Sequence, residues 1–383
     1  MSARIGIVGA SGFVGSALCE RLYFSGDRTF VPFVHSPGNA WRIARLPIQL
    51  RSLDLLNRAQ VFEAVSSCDV IVNCALAGND PKSRGLRNLA DAARGARLKR
   101  FVHLSSIAIY GRDPAPDTAT EVAVPAPDGN PYGVLKLEQD RVIFDLQRSG
   151  VPCFILCPGN IGGPYSLFML GLARRLAQGP LPLVDGGRYP SNIIHVDNLV
   201  EAILAAIGAE RGAGERYFVN ETRPVPWRQM FDDLGRLLGI AVSYVDVSRD
   251  DVVPLLRSAA PRVGLAGHLR IAASGEFRAA LSALPAFRIV NDAATRLFGK
   301  LPERYRHSLR EHLAWPIRMA KRDSRPSLDD RYVTVQARRF YHSPRKLQDA
   351  LAWQPALGYE EGLETTVAWL RFAQAVPTDL PSD

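Results

Sequence analysis

The stretch RIGIVGASGFVG, residues 4–15, decides the fold. Its first half is a short apolar run of strand type, and its second half spaces glycines as G-x-x-G-x-x-G at Gly9, Gly12 and Gly15. Glycines between a first strand and a first helix allow a tight turn, and they let a pyrophosphate approach the backbone at the helix N-terminus. The stretch therefore predicts a dinucleotide site. The residues between the glycines that we expect to contact the cofactor are Ser11, Phe13 and Val14.

The same alternation of strand and helix continues beyond this stretch. Amphipathic helical patterns separate continuous apolar runs of strand length, which occur at residues 4–10, 29–35, 69–75, 100–106 and 153–159. Strands without a polar face are typical of a parallel sheet that is buried on both sides. We therefore predict an α/β fold with a doubly wound parallel sheet, and we assign residues 1–165 to this dinucleotide-binding domain.

The regular alternation of strands and helices ends near residue 210, where shorter strands and helices follow. The predicted domain organisation is based on this change. Residues 190–210 contain a strand-type run at 191–196 and a helical pattern at 197–208, and both are expected to return to the sheet of the dinucleotide-binding domain. Residues 166–189 and 211–383 are predicted to form a smaller α+β lobe that binds the substrate. We place the short strand RYFVN (216–220) in this smaller lobe.

An insertion at about residues 255–325 is an arginine-rich, proline-broken helical stretch with Leu, Phe and Trp between the cations. We favour a solvated basic face on helices that pack against the substrate lobe. Peripheral membrane contact, a cover over the active site and binding of a substrate phosphate are the alternatives. The formal net charge of +9 does not by itself choose a partner. Because no base-stacking or groove-reading motif accompanies the charge, we expect no nucleic-acid partner.

The sequence also argues against a membrane-spanning protein and against a metal-binding protein. No run reaches the roughly 18 apolar residues of a membrane span, and the first residues lead into a strand rather than a signal peptide. The five cysteines show neither metal-ligand nor disulfide spacing. We therefore expect a cytoplasmic protein with reduced cysteines and no bound metal.

The second strand carries information about the cofactor. Dinucleotide folds often have an acidic residue about 20 residues after the glycines, where it binds the adenosine ribose. This chain has no acidic residue between Asp27 and Asp54; instead His35 ends the strand, and Arg42 and Arg45 follow. A missing carboxylate removes repulsion of a 2′-phosphate, and an arginine can pair with it. The pattern favours NADP over NAD, although solvated surface arginines would give the same pattern.

A serine, a tyrosine and a lysine form the candidate catalytic set. LSSIAIYG (104–111) places two serines after a strand, at the edge of the sheet where ligands bind. In NPYGVLK, Tyr132 and Lys136 lie four positions apart, so they project from one face of a helix. A phenol pKa of about 10 is too high for a base at neutral pH, but an ammonium and a cationic nicotinamide favour the phenolate. Tyr132 can then exchange a proton with a secondary alcohol or a ketone.

Together these motifs resemble the extended short-chain dehydrogenase/reductase family, which includes nucleotide-sugar epimerases, dehydratases and ketoreductases. The resemblance covers nearly the whole chain except 255–325 and also includes PGNIGGP (158–164), HVDN (195–198) and WQPALGYEEGLETTVAWL (353–370). It implies a Rossmann fold, a homodimer, and a catalytic set in which Ser106 is the serine, Tyr132 the acid/base and Lys136 its activator. The further cofactor contacts that it implies are Asp54, Leu55, Ala75, Pro158, Gly159 and Ile161.

The departures from the family pattern bear on the substrate. The sugar-nucleotide dehydratases in the family that this chain resembles carry Thr-Asp-Glu at the positions of Ser106-Ile107-Ala108. Because this chain lacks that Asp and Glu, it has no acid/base pair to expel a hydroxyl, and we exclude 4,6-dehydratase chemistry. Asn160 matches an asparagine that contacts the diphosphate side of the substrate in the sugar-nucleotide branch, but it also fits an ordinary turn. An Arg-Asp pair that is common in that branch is replaced by Ser191-Asn192, for which Arg188 could substitute.

Three functions remain after these comparisons of motifs. The first is a nucleotide-sugar epimerase or 4-ketoreductase that moves hydride at a secondary alcohol or ketone. The second is a 3β-hydroxysteroid-dehydrogenase-like or other non-sugar ketoreductase. The third, a non-catalytic dinucleotide sensor or scaffold, is disfavoured because Ser106, Tyr132 and Lys136 are all present.

Overall fold

The computed structural model describes residues 3–75, 83–111, 120–127, 130–257 and 331–375. Beyond residue 257, the basic insertion predicted at 255–325 lies outside the described residues. In the described part of the chain, no helix combines the length and the apolarity that are needed to cross a membrane.

Strands and helices alternate through the first half of the chain. The strands are β1 (Ile5–Val8), β2 (Phe30–Val34), β3 (Arg51–Ser52), β4 (Val70–Asn73), β5 (Arg100–Leu104), β6 (Cys153–Pro158), β7 (Asn160–Gly162), β8 (Leu181–Val184), β9 (Ile193–His195), β10 (Glu215–Val219) and β11 (Tyr244–Val247). The helices are α1 (Phe13–Phe24), α2 (Arg58–Ser66), α3 (Arg84–Gly95), α4 (Pro131–Arg148), α5 (Leu167–Ala177), α6 (Val196–Gly208), α7 (Trp227–Leu238), α8 (Arg249–Arg257), α9 (Arg331–Thr334), α10 (Arg345–Leu351) and α11 (Tyr359–Phe372).

Seven strands form one parallel sheet in the order β10–β6–β5–β4–β1–β2–β3. The apolar runs predict this sheet because the central strands β1, β2, β4 and β6 are buried at every position. The strand order reverses between β1 and β4. In a doubly wound sheet the crevice at such a reversal, beyond the carboxyl ends of the strands, is where ligands bind.

Helices cover both faces of the sheet and create two apolar cores. On one face α1 and α6 pack against the sheet, with Leu18, Leu199 and Ile203 buried in the same cluster. On the other face α2, α3 and α4 contribute Val61, Leu89 and Ile143 to a second cluster. Each such side chain stabilises the fold by about 1.5–3 kcal/mol relative to an exposed one. These two layers make the sheet a rigid base for the loops at its carboxyl edge.

Two strands lie elsewhere than the sequence pattern predicts. The run at 191–196 forms β9, which pairs with β7 in a separate two-stranded sheet instead of the main sheet. The run at 216–220, expected in the smaller lobe, forms β10 and joins the edge of the main sheet beside β6. An apolar run predicts that a strand is buried, but it does not specify which strand becomes its partner.

A third apolar cluster lies outside the main sheet. Helices α5, α7 and α11 pack around the buried side chains Leu172, Trp227, Phe231 and Leu370. Next to this cluster, β8 and β11 form a second two-stranded parallel sheet. Because β7 follows β6 directly, these elements are attached at the end of the sheet where the candidate site lies.

Candidate active site

A cavity of about 830 Å³ opens beyond the carboxyl ends of β1, β4, β5 and β6. It brings together residues that are widely separated in the sequence. The predicted site residues that line it are Gly9, Ser11, Gly12, Phe13, Val14, His35, Arg42, Leu55, Ala75, Ser106, Tyr132, Lys136, Pro158, Gly159, Asn160 and Ile161. The predicted site residues that do not line it are Gly15, Asp54 and Arg188.

The glycine turn after β1 has the form that a bound pyrophosphate needs. Gly9 has a positive φ of 82°, and its carbonyl accepts a hydrogen bond from the Gly12 N–H at 2.9 Å. Gly15 lies against this turn, since a Cβ there would be 2.3 Å from the Gly9 oxygen. Gly12 caps α1 without a side-chain hydrogen bond, so the first N–H groups of the helix remain available to an anion. These residues fit a dinucleotide cofactor.

Asp54 does not face the cavity. Its carboxylate accepts a hydrogen bond from the Leu56 N–H at 2.9 Å, and the side chain is exposed in the turn after β3. The neighbouring Leu55 does line the cavity. Asp54 therefore shapes the turn, whereas the adenine contact of Leu55 stays a prediction.

Arg42 enters the cavity among aromatic rings. Its guanidinium carbon lies 5.9 Å from the Phe13 ring centre, 5.2 Å from that of Trp41 and 5.6 Å from that of Tyr165. Burial lowers the pKa of its guanidinium, and Nε has no hydrogen-bond partner among the described residues. In contrast, Arg45 pairs with Glu20 at 3.0 Å and does not line the cavity. Arg42 is therefore a cation that lines the cavity near Phe13, the first residue of α1.

Helix α4 places Tyr132 next to Ser106. Gly133 permits this approach, since a Cβ there would lie 2.4 Å from the Ala108 carbonyl oxygen. The Ser106 hydroxyl oxygen accepts a hydrogen bond from the Ala108 N–H at 3.2 Å, which fixes the serine at the end of β5. Burial raises the pKa of Tyr132, and its hydrogen bond with Ser106 acts in the opposite direction. In the protein alone, Tyr132 is therefore a protonated phenol at neutral pH.

Lys136 is buried below the tyrosine, with 4% of its surface exposed. Its ammonium donates a hydrogen bond to the Leu104 carbonyl at 2.8 Å and lies 6.0 Å from the centre of the Tyr132 ring. Burial lowers the pKa of Lys136 to about 8, and Asp140 opposes this change. The lysine is thus bonded to the backbone of the sheet rather than to the phenol. Burial raises the pKa of Tyr132 in the protein alone, so the predicted activation of the phenol by Lys136 together with the nicotinamide stays a prediction.

The substrate contacts predicted from the sequence are arranged differently. The Asn160 side-chain amide donates to the Ser191 carbonyl at 2.7 Å, which ties β7 to the segment before β9. Arg188 lies outside the cavity and pairs with Asp185 at 2.9 Å in the exposed turn after β8. Asn160 is therefore engaged in the fold, and Arg188 does not replace the missing Arg-Asp pair.

Sequence reasoning did not identify Arg338, which lines the cavity and donates a hydrogen bond to the Gly111 carbonyl. Asn192 holds the segment that carries it: its amide donates to the Phe340 carbonyl at 3.0 Å, and its oxygen accepts from the His342 N–H at 2.9 Å. Asn192 has a positive φ of 45°, a conformation that asparagine tolerates better than most residues. The only signal in the sequence for this contact was Ser191-Asn192, which stands where the Arg-Asp pair is common. The other lining residues that were missed include Tyr165, Leu167, Phe168 and Val335.

The seven-stranded sheet, the glycine turn and the Ser106–Tyr132–Lys136 arrangement define the extended short-chain dehydrogenase/reductase class. The model of the NAD dependent epimerase/dehydratase family matches residues 5–219, which is more than half of the chain. The chain therefore belongs to the NAD dependent epimerase/dehydratase family, and it is an oxidoreductase or epimerase of the extended type that uses a nicotinamide dinucleotide.

Individual relatives cover both chemistries of the family. A 4-hydroxy-2-methyl-3-oxo-4-farnesyl-3,4-dihydroquinoline-1-oxide ketoreductase of Stigmatella aurantiaca is 28% identical over 251 residues, covering 62% of this chain and 74% of that protein. A UDP-glucose 4-epimerase of Streptomyces lividans is 28% identical over 336 residues, covering 76% and 95%. The crystal structure of UDP-glucose 4-epimerase with UDP-glucose from Thermotoga maritima matches with a TM-score of 0.63 at 17% identity, covering 96% and 99% of the chains. This structural likeness supports the fold alone.

Proposed function

We propose that the protein is an NAD(P)-dependent ketoreductase that converts a ketone to a secondary alcohol, or the reverse. The observation that carries the proposal is the placement of Ser106, Tyr132 and Lys136 in one cavity with the uncapped N-terminus of α1. Transfer of a hydride to or from the substrate carbon is the chemistry that the nicotinamide supplies when bound.

The three side chains divide the proton chemistry. Tyr132 donates its hydroxyl proton to the ketone oxygen in reduction, for which its raised pKa is suitable. Ser106 aligns the same oxygen from the end of β5. Lys136 places a positive charge behind the phenol and stabilises the phenolate that forms as the proton leaves.

We further propose that the cofactor is NADP. Arg42 is the support for this choice: it lines the cavity from the segment that follows β2, and partial burial among aromatic rings strengthens its charge interactions. A phosphate on the adenosine ribose would pair with this guanidinium. His35 lines the cavity beside it and adds a second hydrogen-bonding side chain.

The substrate end of the cavity favours a ketone with an apolar body and an anionic group. Leu167, Phe168 and Val335 provide apolar walls, and Arg338 provides a cation. Among the described residues, neither Arg188 nor the amide of Asn160 is arranged to hold a diphosphate. For this reason we rank a non-sugar ketoreductase before the nucleotide-sugar enzyme that the sequence pattern placed first.

A nucleotide-sugar 4-epimerase is the second candidate. It is supported by the alignment with UDP-glucose 4-epimerase over 95% of that protein and by the cation of Arg338, which could also bind a phosphate. The two candidates differ in how they use the cofactor. An epimerase reuses one cofactor within each cycle, whereas a ketoreductase must exchange it after every turnover.

The test begins with freshly purified protein, which is denatured so that released nicotinamide cofactor can be identified and quantified. The protein is then assayed with NADPH and NADH against apolar 3-oxo acids and their methyl esters, and in parallel with UDP-glucose. We expect little retained cofactor, consumption of NADPH, and faster reduction of each acid than of its ester. Stoichiometric retained cofactor with conversion of UDP-glucose would replace this proposal with the epimerase.

A further inference from the structure

We propose that Asp140, held in place by Arg216, is a positioning residue that keeps the Lys136 side chain charged beside Tyr132. This inference rests on the proposed function, because it assigns Lys136 a role in the catalytic set. Neither Asp140 nor Arg216 belongs to the sequence motifs that define the site, and neither lines the cavity. They act on the reaction only through Lys136.

Asp140 lies one turn after Lys136 on the buried face of α4, and it is completely inaccessible to solvent. Residues four apart on a helix are neighbours, so Asp140 and Lys136 lie on the same buried face of α4. Isolating a carboxylate from water carries a large free-energy cost unless a cation or hydrogen-bond donors compensate it. The sequence retains this charge at a position that would otherwise suit an apolar residue.

Arg216 supplies the compensating cation from the edge strand β10. Its Nε lies 2.7 Å from an Asp140 carboxylate oxygen, and 13% of the arginine side chain is exposed. The guanidinium also stacks over the Phe144 ring at 4.8 Å from its centre, which fixes its direction. Burial raises the pKa of Asp140, whereas Arg216 and the neighbouring Ser105 lower it. The arginine therefore favours the ionised form of Asp140 in a position from which water is excluded.

The other titratable groups that face Lys136 carry no charge at neutral pH. Cys74, after β4, and Cys157, on β6, have thiol pKa values that burial raises, to about 12 for Cys74. His103, on β5, has a pKa that burial and Lys136 hold well below its usual value, so its ring is neutral. On α4 itself, the pKa of Tyr132 is also raised. Among the described residues that face Lys136, Asp140 is thus the group that provides a negative charge.

The consequence concerns the protonation of Lys136. A buried ammonium without an anion loses its proton, since burial disfavours the charged form. With Asp140 present, the pKa of Lys136 is about 8, close to the pH at which the enzyme must work. Without it, Lys136 becomes a neutral amine at neutral pH and no longer stabilises the Tyr132 phenolate. The ion pair thus sets the pH range over which the catalytic lysine is cationic.

The test measures the protonation of Lys136 directly and requires no substrate. Wild-type protein and the variants Asp140→Asn and Asp140→Asn/Arg216→Gln are labelled with trace acetic anhydride across a pH series. Peptide mass spectrometry then quantifies Lys136, with the surface residue Lys99 as internal reference. The double variant removes the cation that the single variant would leave buried and unpaired. Asp145→Asn is the matched control, because Asp145 lies on the same helix but pairs with Arg148 on the surface.

We expect the labelling midpoint of Lys136 to fall by about 1–2 pH units in both Asp140 variants, the size of a close charge interaction at a moderate effective dielectric. The midpoint should stay unchanged in Asp145→Asn. An unchanged midpoint in either folded Asp140 variant would overturn the proposal. Failure of the double variant to fold, with Asp140→Glu folded, would also overturn it, because the pair would then be structural. A third outcome separates the two proposals. If the Lys136 midpoint shifts as predicted in the variants but the wild-type protein reduces no ketone, the proposed function is contradicted while the role of Asp140 stands.

Discussion

The two ends of the cavity are built in different ways. The cofactor end is largely backbone: the turn from Gly9 to Gly12 and the first N–H groups of α1, all within one short stretch of sequence. The substrate end is largely side chain, and it is assembled from segments that are far apart, such as Phe168, Asn192 and Arg338. A backbone site binds the part of the ligand that the whole family shares. A side-chain site can change without disturbing it, which explains why the fold identifies the class more readily than the substrate.

The strongest way to break this comparison is Tyr132→Phe, which removes the proton donor between the two ends. We expect kcat to fall about 10²- to 10⁴-fold, because general acid catalysis contributes roughly that factor. Turnover of the ketone found in the substrate panel and the Kd of NADPH are measured on the same preparation. The Kd of NADPH should stay within a factor of about two, since the hydroxyl is not part of the backbone site. Loss of NADPH binding in the variant would instead show that the tyrosine has a structural role.

The cofactor end is tested by adding one methyl group. Gly15→Ala would place a Cβ 2.3 Å from the Gly9 oxygen and push the turn out of shape. Overpacking of this kind costs about 1–3 kcal/mol, so we expect NADPH to bind about 10- to 100-fold more weakly in a fluorescence titration. Gly208→Ala adds the same methyl group to α6 in open space and should leave the Kd unchanged. Equal losses in both variants would contradict the role of the turn.

The substrate end is tested by a pair of arginines. Arg338→Gln removes the cation that lines the cavity, and we expect KM for an acidic ketone to rise about 10- to 100-fold, the loss of one charged hydrogen bond. Reduction of the corresponding methyl ester should change little. The control, Arg188→Gln, alters an arginine that lies outside the cavity and is paired with Asp185, and steady-state kinetics should not distinguish it from wild type. An effect of Arg188→Gln larger than that of Arg338→Gln would restore the assignment made from the sequence.

The smallest expected effect sharpens the choice of cofactor. Arg42→Gln should weaken NADP binding about tenfold, which corresponds to about 1.4 kcal/mol, and leave NAD binding nearly unchanged. The ratio of the two Kd values, measured by calorimetry, reports this difference independently of any substrate. Arg45→Gln is the control, since Arg45 pairs with Glu20 on the surface. A similar loss for both cofactors would show that Arg42 acts on a group that NAD and NADP share.

The parts of the molecule that the sequence predicts are those in which a local pattern has a single structural outcome. The glycine turn, the strands of the main sheet, and the i, i+4 relation of Tyr132 and Lys136 are of this kind. The partners of β9 and β10 could not be predicted, because an apolar run does not specify its neighbour. Arg338 was missed for the same reason: a hydrogen bond from Asn192, some 150 residues away, positions its segment. The predicted homodimer and cytoplasmic location stay predictions.

The central claim is that the cavity holds NADP with its nicotinamide next to Tyr132, and a crystal structure with NADP tests it most directly. We predict that the pyrophosphate lies on the N–H groups of Phe13 and Val14, the first residues of α1. The nicotinamide ring should lie beside Ser106 and Tyr132, with room for one carbonyl group about 3–3.5 Å from the reacting groups. A cofactor bound outside the cavity, or a nicotinamide ring turned away from Tyr132, would contradict this account.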